Sequence, residues 1–430
     1  MVDCFKDWAM CSESMLMDSR LPARPPAGWK EVPLRAVTDT RFSNVDKLTK
    51  AGERPVRLCN YTDVYNNDYI TQDIEFMEAT AAQPEIDKFR LQVGDVIITK
   101  DSETPYDIGI PARVDCASDD LVCGYHLALL RPNQEVVDPD YLSKQLGHAR
   151  LAGYFARMAN GLTRYGLSIG AIDDSPIWLP PQVEQSRIGY VLRQLDLSIV
   201  QTETLIGKLN QAQAGLLHDL LTLGLPGLAR GLLKRIVGDI CETYAGGTPP
   251  RSASGMYGGG ILWVKSGELG KGSITSTEET ITELGLAASS AKWVPANVPL
   301  VAMYGATAGA VGWLTVKATT NQAVLACVPK SSAIDARWLY WRLRFDSDKL
   351  ISAIQGSGQP NLNKGLVDRH AVDIPPTPDE QSEIASILDA AEAEILAQRA
   401  YLQTLRSIKV GLTDDLITGR VRVPAELEMA

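Results

Sequence analysis

Two stretches of the chain share a pattern in which apolar residues recur at alternating steps of four and three. One begins at Ile188 and the other at Ile384. Each runs for about 40 residues, which as a helix is roughly 60 Å long. The spacing predicts two coiled-coil helices, although packing of each helix on its own domain is the alternative. The predicted seam consists of Ile188, Leu192, Leu195, Ile199, Ile206, Leu209, Leu216 and Leu220 in the first helix and Ile384, Leu388, Ala391, Ile395, Leu402, Leu405, Leu412 and Leu416 in the second.

The two predicted helices are copies of one sequence. Residues 184–224 align with residues 380–420 without a gap at a shift of 196, with twelve identities. A double proline precedes both copies. The similarity continues more weakly upstream, where 136–146 align with 333–343. The repeat therefore covers whole units, each a globular part followed by a long helix.

The globular parts combine short apolar strands with helices and polar, glycine-rich loops, which predicts a mixed α+β (α/β) fold. Strands are predicted at 95–100, 126–130, 299–304 and 323–328, and helices at 140–159 and 336–354. The predicted organisation is a leader over 1–27, a globular domain over 28–178, a helix over 179–224, a linker over 225–233, a second globular domain over 234–373, a second helix over 374–420 and a tail over 421–430.

The composition is that of a soluble globular protein, with 45% hydrophobic residues and a net charge of −10. This charge disfavours a protein that coats nucleic acid nonspecifically, but it leaves room for a local basic face. The sequence contains neither an apolar run that predicts a membrane span nor a signal peptide. Seven cysteines without a Cys-x-x-Cys pair favour reduced thiols, and so a cytoplasmic location.

Motifs of self-contained enzymes are missing from the sequence. The four histidines are scattered, and no phosphate-binding loop of the Walker type occurs. The glycine-rich stretch at 304–312 has the wrong spacing for a dinucleotide loop. The sequence also lacks the Asn-Pro-Pro-Tyr and Asp-Pro-Pro-Tyr boxes of amino-methyltransferases. We therefore expect no catalytic residue and no metal ligand in this chain.

Several phrases resemble one protein family. They are RPVRLCNYTDVYNNDYI at 54–70, the stretch at 86–114, ILWVKSGELGKGSITSTEETITELGLAASSAKWVP at 261–295, LVAMYGATAGAVG at 300–312 and IPPTPDEQSEIASILD at 374–389. In this order, and with the duplication, they resemble the specificity subunits of type I restriction-modification systems. The resemblance extends from about Trp29 to Val423.

The resemblance implies an architecture and partners. Each globular part is expected to be a target-recognition domain that reads one half of a split, asymmetric site in double-stranded DNA. The helices are expected to pair as an antiparallel coiled coil with pseudo-twofold symmetry. The chain itself is expected to be non-catalytic. Two copies of a modification subunit would bind S-adenosylmethionine and methylate adenine N6, and a restriction subunit with ATP and Mg²⁺ would join where one is present.

Polar residues on loops are the candidates for reading DNA, because they carry the donors and acceptors that match base edges. In the first domain these are Arg57, Asn60, Tyr61, Thr62, Lys100, Asp101, Ser102, Glu103 and Thr104, followed by Asn160, Thr163, Arg164 and Tyr165. In the second domain they are Lys265, Ser266, Tyr304, Gly305, Ala306, Thr307, Thr320, Asn321 and Gln322, followed by Ser357, Gln359, Asn361, Asn363 and Lys364.

Alternative functions stay open at this point. The same module could serve a type II-like restriction or methylation system. A coiled-coil scaffold whose globular ends bind proteins is a different class. Salt-dependent, motif-dependent DNA binding together with a partner separates a DNA reader from a scaffold.

Overall fold

The computed structural model describes residues 24–226, 231–270, 272–352, 361–424 and 426–427. The chain forms two compact units, of which the first combines Met1–Thr202 with Tyr401–Ala430 and the second is Glu203–Ala400. Each long helix therefore contributes one half to each unit. Most of the predicted leader, part of the predicted linker and the end of the predicted tail lie outside the described residues.

The first unit contains a globular domain built from short strands and helices. Its strands are β1 Lys30–Pro33, β2 Thr38–Phe42, β3 Arg54–Cys59, β4 Tyr69–Ile70, β5 Met77–Ala81, β6 Val96–Thr99, β7 Asp101–Ser102, β8 Pro111–Val114, β9 Leu121–Cys123, β10 Leu127–Pro132, β11 Tyr165–Gly166 and β12 Pro176–Leu179. Its helices are α1 Tyr61–Tyr65, α2 Gln83–Phe89, α3 Pro139–Gly147, α4 Ala149–Met158, α5 Ile169–Asp173 and the start of α6 Gln182–Thr222, with a 3-10 turn at Leu34–Ala36.

The second unit contains the other globular domain. Its strands are β13 Leu233–Ile236, β14 Cys241–Ala245, β15 Tyr257–Val264, β16 Ser273–Ile274, β17 Thr280–Ile281, β18 Trp293–Val294, β19 Val298–Ala302, β20 Val311–Leu314, β21 Ala318–Thr320, β22 Val324–Pro329 and β23 Ala371–Ile374. Its helices are α7 Val237–Ile240, α8 Glu283–Ala287, α9 Ala336–Phe345, α10 Ser347–Ser352, α11 Lys364–Asp368 and the start of α12 Pro378–Ile417, with 3-10 turns at Ser266–Glu268 and Gly305–Thr307.

The two domains have the same sheet topology, as the repeat predicts. The central sheet has the order β2-β10-β6-β8-β4 in one and β14-β22-β19-β20-β16 in the other. In both sheets only the last pair is parallel. A parallel strand pair also occurs beside each central sheet, β3 with β9 and β15 with β21. Alternating apolar side chains of these strands build the core of each domain.

The long helices pack antiparallel to each other within each unit. In the first unit, Ile188 and Leu192 near the start of α6 share a core with Leu416 near the end of α12. In the second unit, Leu220 near the end of α6 shares a core with Ile384 near the start of α12. The fold predicted from the repeat is thereby confirmed. No helix in the described ranges is long and apolar enough to cross a bilayer.

One predicted seam residue faces solvent. Leu216 is 37% exposed, whereas Leu220 and Leu221 are buried and Leu217 packs against the same core. An α-helix has 3.6 residues per turn, so a strict heptad drifts by about 20° per repeat around its surface. After several heptads the buried stripe has moved toward Leu217, so Leu216 lies at the exposed edge of the stripe.

The repeated glutamine, Gln185 and Gln381, helps to explain why the two helix starts are so alike. Gln185 is buried, and its amide donates to the carbonyls of Val136 (3.1 Å) and Pro180 (2.9 Å), while its oxygen accepts from the N–H of Asp138 (2.9 Å). Through these three hydrogen bonds, Gln185 connects the start of α6 to the proline turn before it and to the globular domain.

Gln381 repeats this arrangement in the second unit. Its amide donates to Ala333 (3.2 Å) and Pro375 (3.1 Å), and its oxygen accepts from the N–H of Asp335 (2.7 Å). Buried polar groups need such partners. A glutamine at this position is therefore required by the fold rather than by a reaction.

The predicted helices at 140–159 and 336–354 are each broken once. His148 separates α3 from α4, and its Nδ1 accepts from the N–H of Arg150 as a helix cap. Asp346 separates α9 from α10, and its side chain is held by Arg342. In both places a polar side chain competes with the helical backbone bonds, which the apolar pattern does not reveal.

Candidate nucleic-acid interface

Backbone hydrogen bonds bring the predicted loops of the first domain together. The N–H of Gly124 donates to Cys59 (2.9 Å), which joins the end of β9 to the end of β3. The N–H of Lys100 donates to His126 (3.1 Å), and the N–H of Leu167 donates to Lys100 (2.9 Å). The segments that begin at 60, 100 and 160, and a fourth at 124–126, therefore form one surface.

A small sheet links two of the predicted segments directly. Strand β7 pairs with β11, so that Ser102 lies opposite Tyr165 and Asp101 lies opposite Gly166. The predicted loop after β6 thus contains a short strand. Of the predicted residues around it, Glu103, Thr104, Asn160, Thr163 and Arg164 are exposed, Ser102 is buried, and Tyr165 and Asp101 are half-buried.

A cleft of about 110 Å³ opens on this surface, between α1 and the 124–126 loop. Tyr125 is 50% exposed, and its ring meets the His126 ring edge-to-face at 4.9 Å. Nδ1 of His126 lies 2.9 Å from Oδ2 of Asp101. The cleft is lined by Asp46, Lys47, Asn60, Tyr61, Tyr125 and His126.

The side chains of α1 support one wall of the cleft. Asn60 lies at the start of the helix, where its backbone N–H donates to Asp63 (2.7 Å) and its side-chain amide donates to the carbonyl of Leu58 (3.3 Å). Tyr61 stacks on Tyr65 with ring centres 5.5 Å apart. Burial raises the pKa of Tyr61, and it raises that of Tyr65 to about 12, so both phenols stay protonated donors at neutral pH. The remaining predicted residue, Thr62, is exposed.

The guanidinium of Arg57 forms hydrogen bonds within its own domain. Its guanidinium donates to both carboxylate oxygens of Asp120 (2.9 and 3.0 Å) and to Ser118 (2.6 Å). These bonds lower the pKa of Asp120 to about 2. A DNA contact by Arg57 would have to compete with this pair.

The loops of the second domain converge through equivalent bonds. The N–H of Asn321 donates to Val264 (2.9 Å), that of Met303 donates to Ala323 (2.7 Å), and that of Leu362 donates to Met303 (2.8 Å). These match the bonds of Gly124, Lys100 and Leu167 one for one. The predicted segments that begin at 265, 304, 320 and 361 are therefore brought to one surface as well.

The predicted residues of the second domain differ in how accessible they are. Tyr304, Gly305, Ala306, Gln322, Asn361, Asn363 and Lys364 are exposed, and Ser266, Thr307 and Asn321 are half-buried. Thr320 is fully buried, so its side chain has no surface for a ligand, because the backbone at Gly246 packs against it. Ser357 and Gln359 lie outside the described residues.

Two lysines of the second domain are held by carboxylates. Lys265 lies 3.0 Å from Glu278 and 3.2 Å from Glu279, and Lys364 lies 2.5 Å from Asp368. Arg251 and Lys265 together lower the pKa of Glu279 to about 2. These pairs are partly exposed to solvent, and ion pairs at the surface exchange easily for phosphate contacts because each contributes at most about 1 kcal/mol.

The sequence-based selection missed the loop at 124–126. Tyr125 and His126 occupy the positions that Gln322 and Ala323 occupy in the second domain, as the shared backbone bonds show. Gln322 had been selected, so extending the repeat alignment upstream to this loop would have found its counterpart. A change in the number of intervening residues hid that correspondence.

No group of three or more His, Cys, Asp or Glu side chains is arranged to hold a metal ion in the part of the chain that the structure describes. The five cysteines within those ranges are free, and four of them are buried. Burial raises the pKa of the buried thiols, which removes the thiolate needed for reactivity.

Residues 234–402 match the family model of the type I restriction modification DNA specificity domain. A protein of Methanocaldococcus jannaschii, provisionally named type I restriction enzyme MjaX specificity subunit, is 24% identical over 79% of this chain and 81% of its own length. The Escherichia coli type I restriction enzyme EcoR124I/EcoR124II specificity subunit is 26% identical over 36% of this chain and 39% of its own length. The resemblance seen in the sequence is confirmed.

Solved structures agree on the fold. The crystal structure of the S subunit of a type I restriction-modification system from M. genitalium superposes with a TM-score of 0.60 at 14% identity, covering 93% of this chain and 97% of that one. A chain from a study of complex assembly and conformational transition of the type I R-M system gives a TM-score of 0.53 at 18% identity, covering 93% and 100%.

Proposed function

Because the chain belongs to the specificity subunits of type I restriction-modification systems, we propose that its two domains read the two halves of an asymmetric DNA site. One observation carries the proposal. The same backbone bonds present different side chains on the two loop surfaces, with Lys100, Tyr125 and His126 in the first where Met303, Gln322 and Ala323 stand in the second. Two loop surfaces with equivalent backbones but different side chains suit two half-sites of different sequence.

The chain supplies recognition in this proposal, and its partners supply chemistry. Two copies of a modification subunit, one for each repeated helix unit, would bind S-adenosylmethionine and methylate adenine N6, which requires the base to leave the duplex stack. A restriction subunit with ATP and Mg²⁺ would join the same assembly. The compartment that this function requires is the cytoplasm.

The net charge of −10 fits this division of work. A DNA-binding assembly needs cations opposite phosphates. With an acidic recognition subunit, much of that positive charge has to come from the modification subunits. The descriptions of the matched family and relatives favour a type I system over a type II-like one.

The deciding experiment is a genome-wide map of N6-methyladenine in the source cell with and without this gene. The expected result is loss of a single two-part motif with a fixed gap. Retention of every such motif, together with no motif-dependent DNA binding by the chain assembled with its modification subunit, would leave the scaffold as the better explanation. Restoring the gene on a plasmid is the control, and it should restore the motif.

The helices offer a second test, because α6 and α12 have 41 and 40 residues. Inserting one heptad at the middle of both lengthens each helix by about 10 Å, which is about three base pairs of duplex. If helix length sets the distance between the half-sites, the gap in the motif grows by about three base pairs while both half-sites stay the same. An unchanged gap contradicts that role.

A further inference from the structure

The side chain of Lys100 is largely buried, in an unusual setting. The residue is only 8% exposed, and its Nζ lies 4.9 Å from the ring centre of Phe42 and 4.7 Å from that of Tyr125. Among the described residues, no carboxylate forms an ion pair with it. Lysines are rarely this buried without a partner, because removing the ammonium from water is costly. The rings offset part of that cost through their negative faces.

The position of Lys100 in the domain suggests which kind of group its ammonium binds. It ends β6 and is bonded through its backbone to His126 and Leu167, so it stands at the junction of the converging loops. Tyr125, which packs against the ammonium, also lines the cleft and is half exposed. A lysine fixed here presents donors at the centre of the surface rather than at its rim.

We propose that Lys100 is a specificity-determining residue that reads a guanine in the half-site of the first domain, with Tyr125 as the ring that holds it in place. This inference rests on the proposed function. Guanine presents two acceptors, O6 and N7, on its major-groove edge, which suits an ammonium that only donates. Adenine places a donor beside its single acceptor, and cytosine presents a donor.

A backbone phosphate would satisfy the same ammonium, and the two sources behave differently. Loss of a phosphate contact weakens binding to all sequences alike, and it reduces the slope of log binding constant against log salt concentration by about 1. Loss of a guanine contact relaxes the base preference at one position of one half-site. The fixed position of the Lys100 ammonium between the rings of Phe42 and Tyr125 favours a contact with a base over one with a phosphate. Phosphate-binding lysines act as point charges and need no fixed direction. In the second domain the equivalent residue is Met303, so that half-site has no counterpart of this contact.

The test uses the full chain assembled with its modification subunit and a plasmid library randomised at each position of both half-sites. Lys100→Met keeps the length of the side chain and removes the charge. We expect the guanine preference at one position of the first half-site to disappear, and methylation of the original site to fall by about 10- to 100-fold. The second half-site should stay unchanged. Lys88→Met is the matched control, since Lys88 is exposed and also lies over a ring, at 5.1 Å from the centre of Phe89.

Lys100→Gln gives an independent result if the Met variant fails to assemble. An amide matches adenine N6 and N7, so the preference at the same position should move from guanine to adenine. An equal loss on every sequence, or an unchanged motif and rate, overturns the inference while leaving the proposed function intact. A wild-type complex that methylates no two-part motif overturns the proposed function itself.

Discussion

The two recognition domains have the same backbone frame but differ in the side chains they place on it. The bond from Lys100 to His126 in the first domain corresponds to the bond from Met303 to Ala323 in the second. The first surface has a clamped cation and aromatic rings, and the second has an exposed amide at Gln322. Recognition can therefore change in one domain without altering the bonds that hold its loops.

The cores of the domains differ in a similar way. Gln145 in α3 is neutral, and its amide bonds to the phenol of Tyr141 and the backbone of Trp178. The equivalent position in α9 is Arg342, which is buried and forms an ion pair with Asp346 at 2.6 Å. One position in the repeat thus carries a neutral network in one domain and a charged one in the other, and the charged one should be the more fragile.

The largest expected effect is on that buried pair. Asp346→Ala leaves Arg342 buried without its carboxylate, and we expect the free energy of unfolding of the second unit to fall by about 4 kcal/mol. Urea unfolding followed by fluorescence of Trp338 and Trp341, which lie in the same core, measures it. The double variant Arg342→Met with Asp346→Leu should recover most of the loss. A double variant as unstable as the single one would contradict this explanation.

The next effect tests what the domains share. Gln185→Ala and Gln381→Ala each remove a buried amide, and each leaves a part-buried N–H without an acceptor, at Asp138 and Asp335 respectively. We expect each to lower the free energy of unfolding by about 2 to 3 kcal/mol. The exposed Gln194→Ala is the control and should have almost no effect. If only one of the two buried variants were destabilised, the junctions would not be equivalent.

Acid should weaken the charged core of the second domain. Burial alone raises the pKa of Asp346, but hydrogen bonds from His370 and Lys349 and the charge of Arg342 outweigh it and lower the pKa to about 2. An unfolded aspartate titrates near pH 4, so this group contributes about 2 kcal/mol above that pH. The contribution is lost as the pH falls from about 4 to about 2.

Comparing the wild type with Asp346→Asn by denaturant titration across this range isolates the contribution. Asparagine does not titrate, so the difference between the two proteins should shrink as the pH falls. A difference that stays constant between pH 5 and pH 2 would show that another group carries the acid dependence.

The smallest effect concerns the second recognition surface. Asn361 is exposed beside Leu362, whose N–H donates to Met303 at the junction of the loops. Asn361→Ala should lower methylation of the original site by about tenfold, or about 1.4 kcal/mol, and relax only the second half-site. A methylation map of the variant complex measures it. Relaxation of the first half-site instead would show that the halves are assigned to the wrong domains.

The candidate site was partly predictable. Most selected segments do converge, because the parallel strands β3 and β9 end at the same edge of their sheet, and the end of β6 lies opposite the start of β10, next to the loop that follows β9. Burial was not predictable residue by residue. Thr320 is polar and ends a strand, yet the backbone at Gly246 packs against it and buries it, and Arg57 is satisfied by Asp120, which lies far from it in sequence.

The sequence by itself determined the duplication, the two long helices and the family resemblance, since these depend on periodicity and on residues repeated at a fixed shift. Tertiary structure decided which seam residues are buried, as at Leu216, because the helical drift accumulates over several heptads. It also decided the partners of Lys100. Its rings come from Phe42 and Tyr125, which only the pairing of β6 with β10, and of β10 with β2, brings beside it. Such contacts join residues distant in the chain, and no local pattern encodes them.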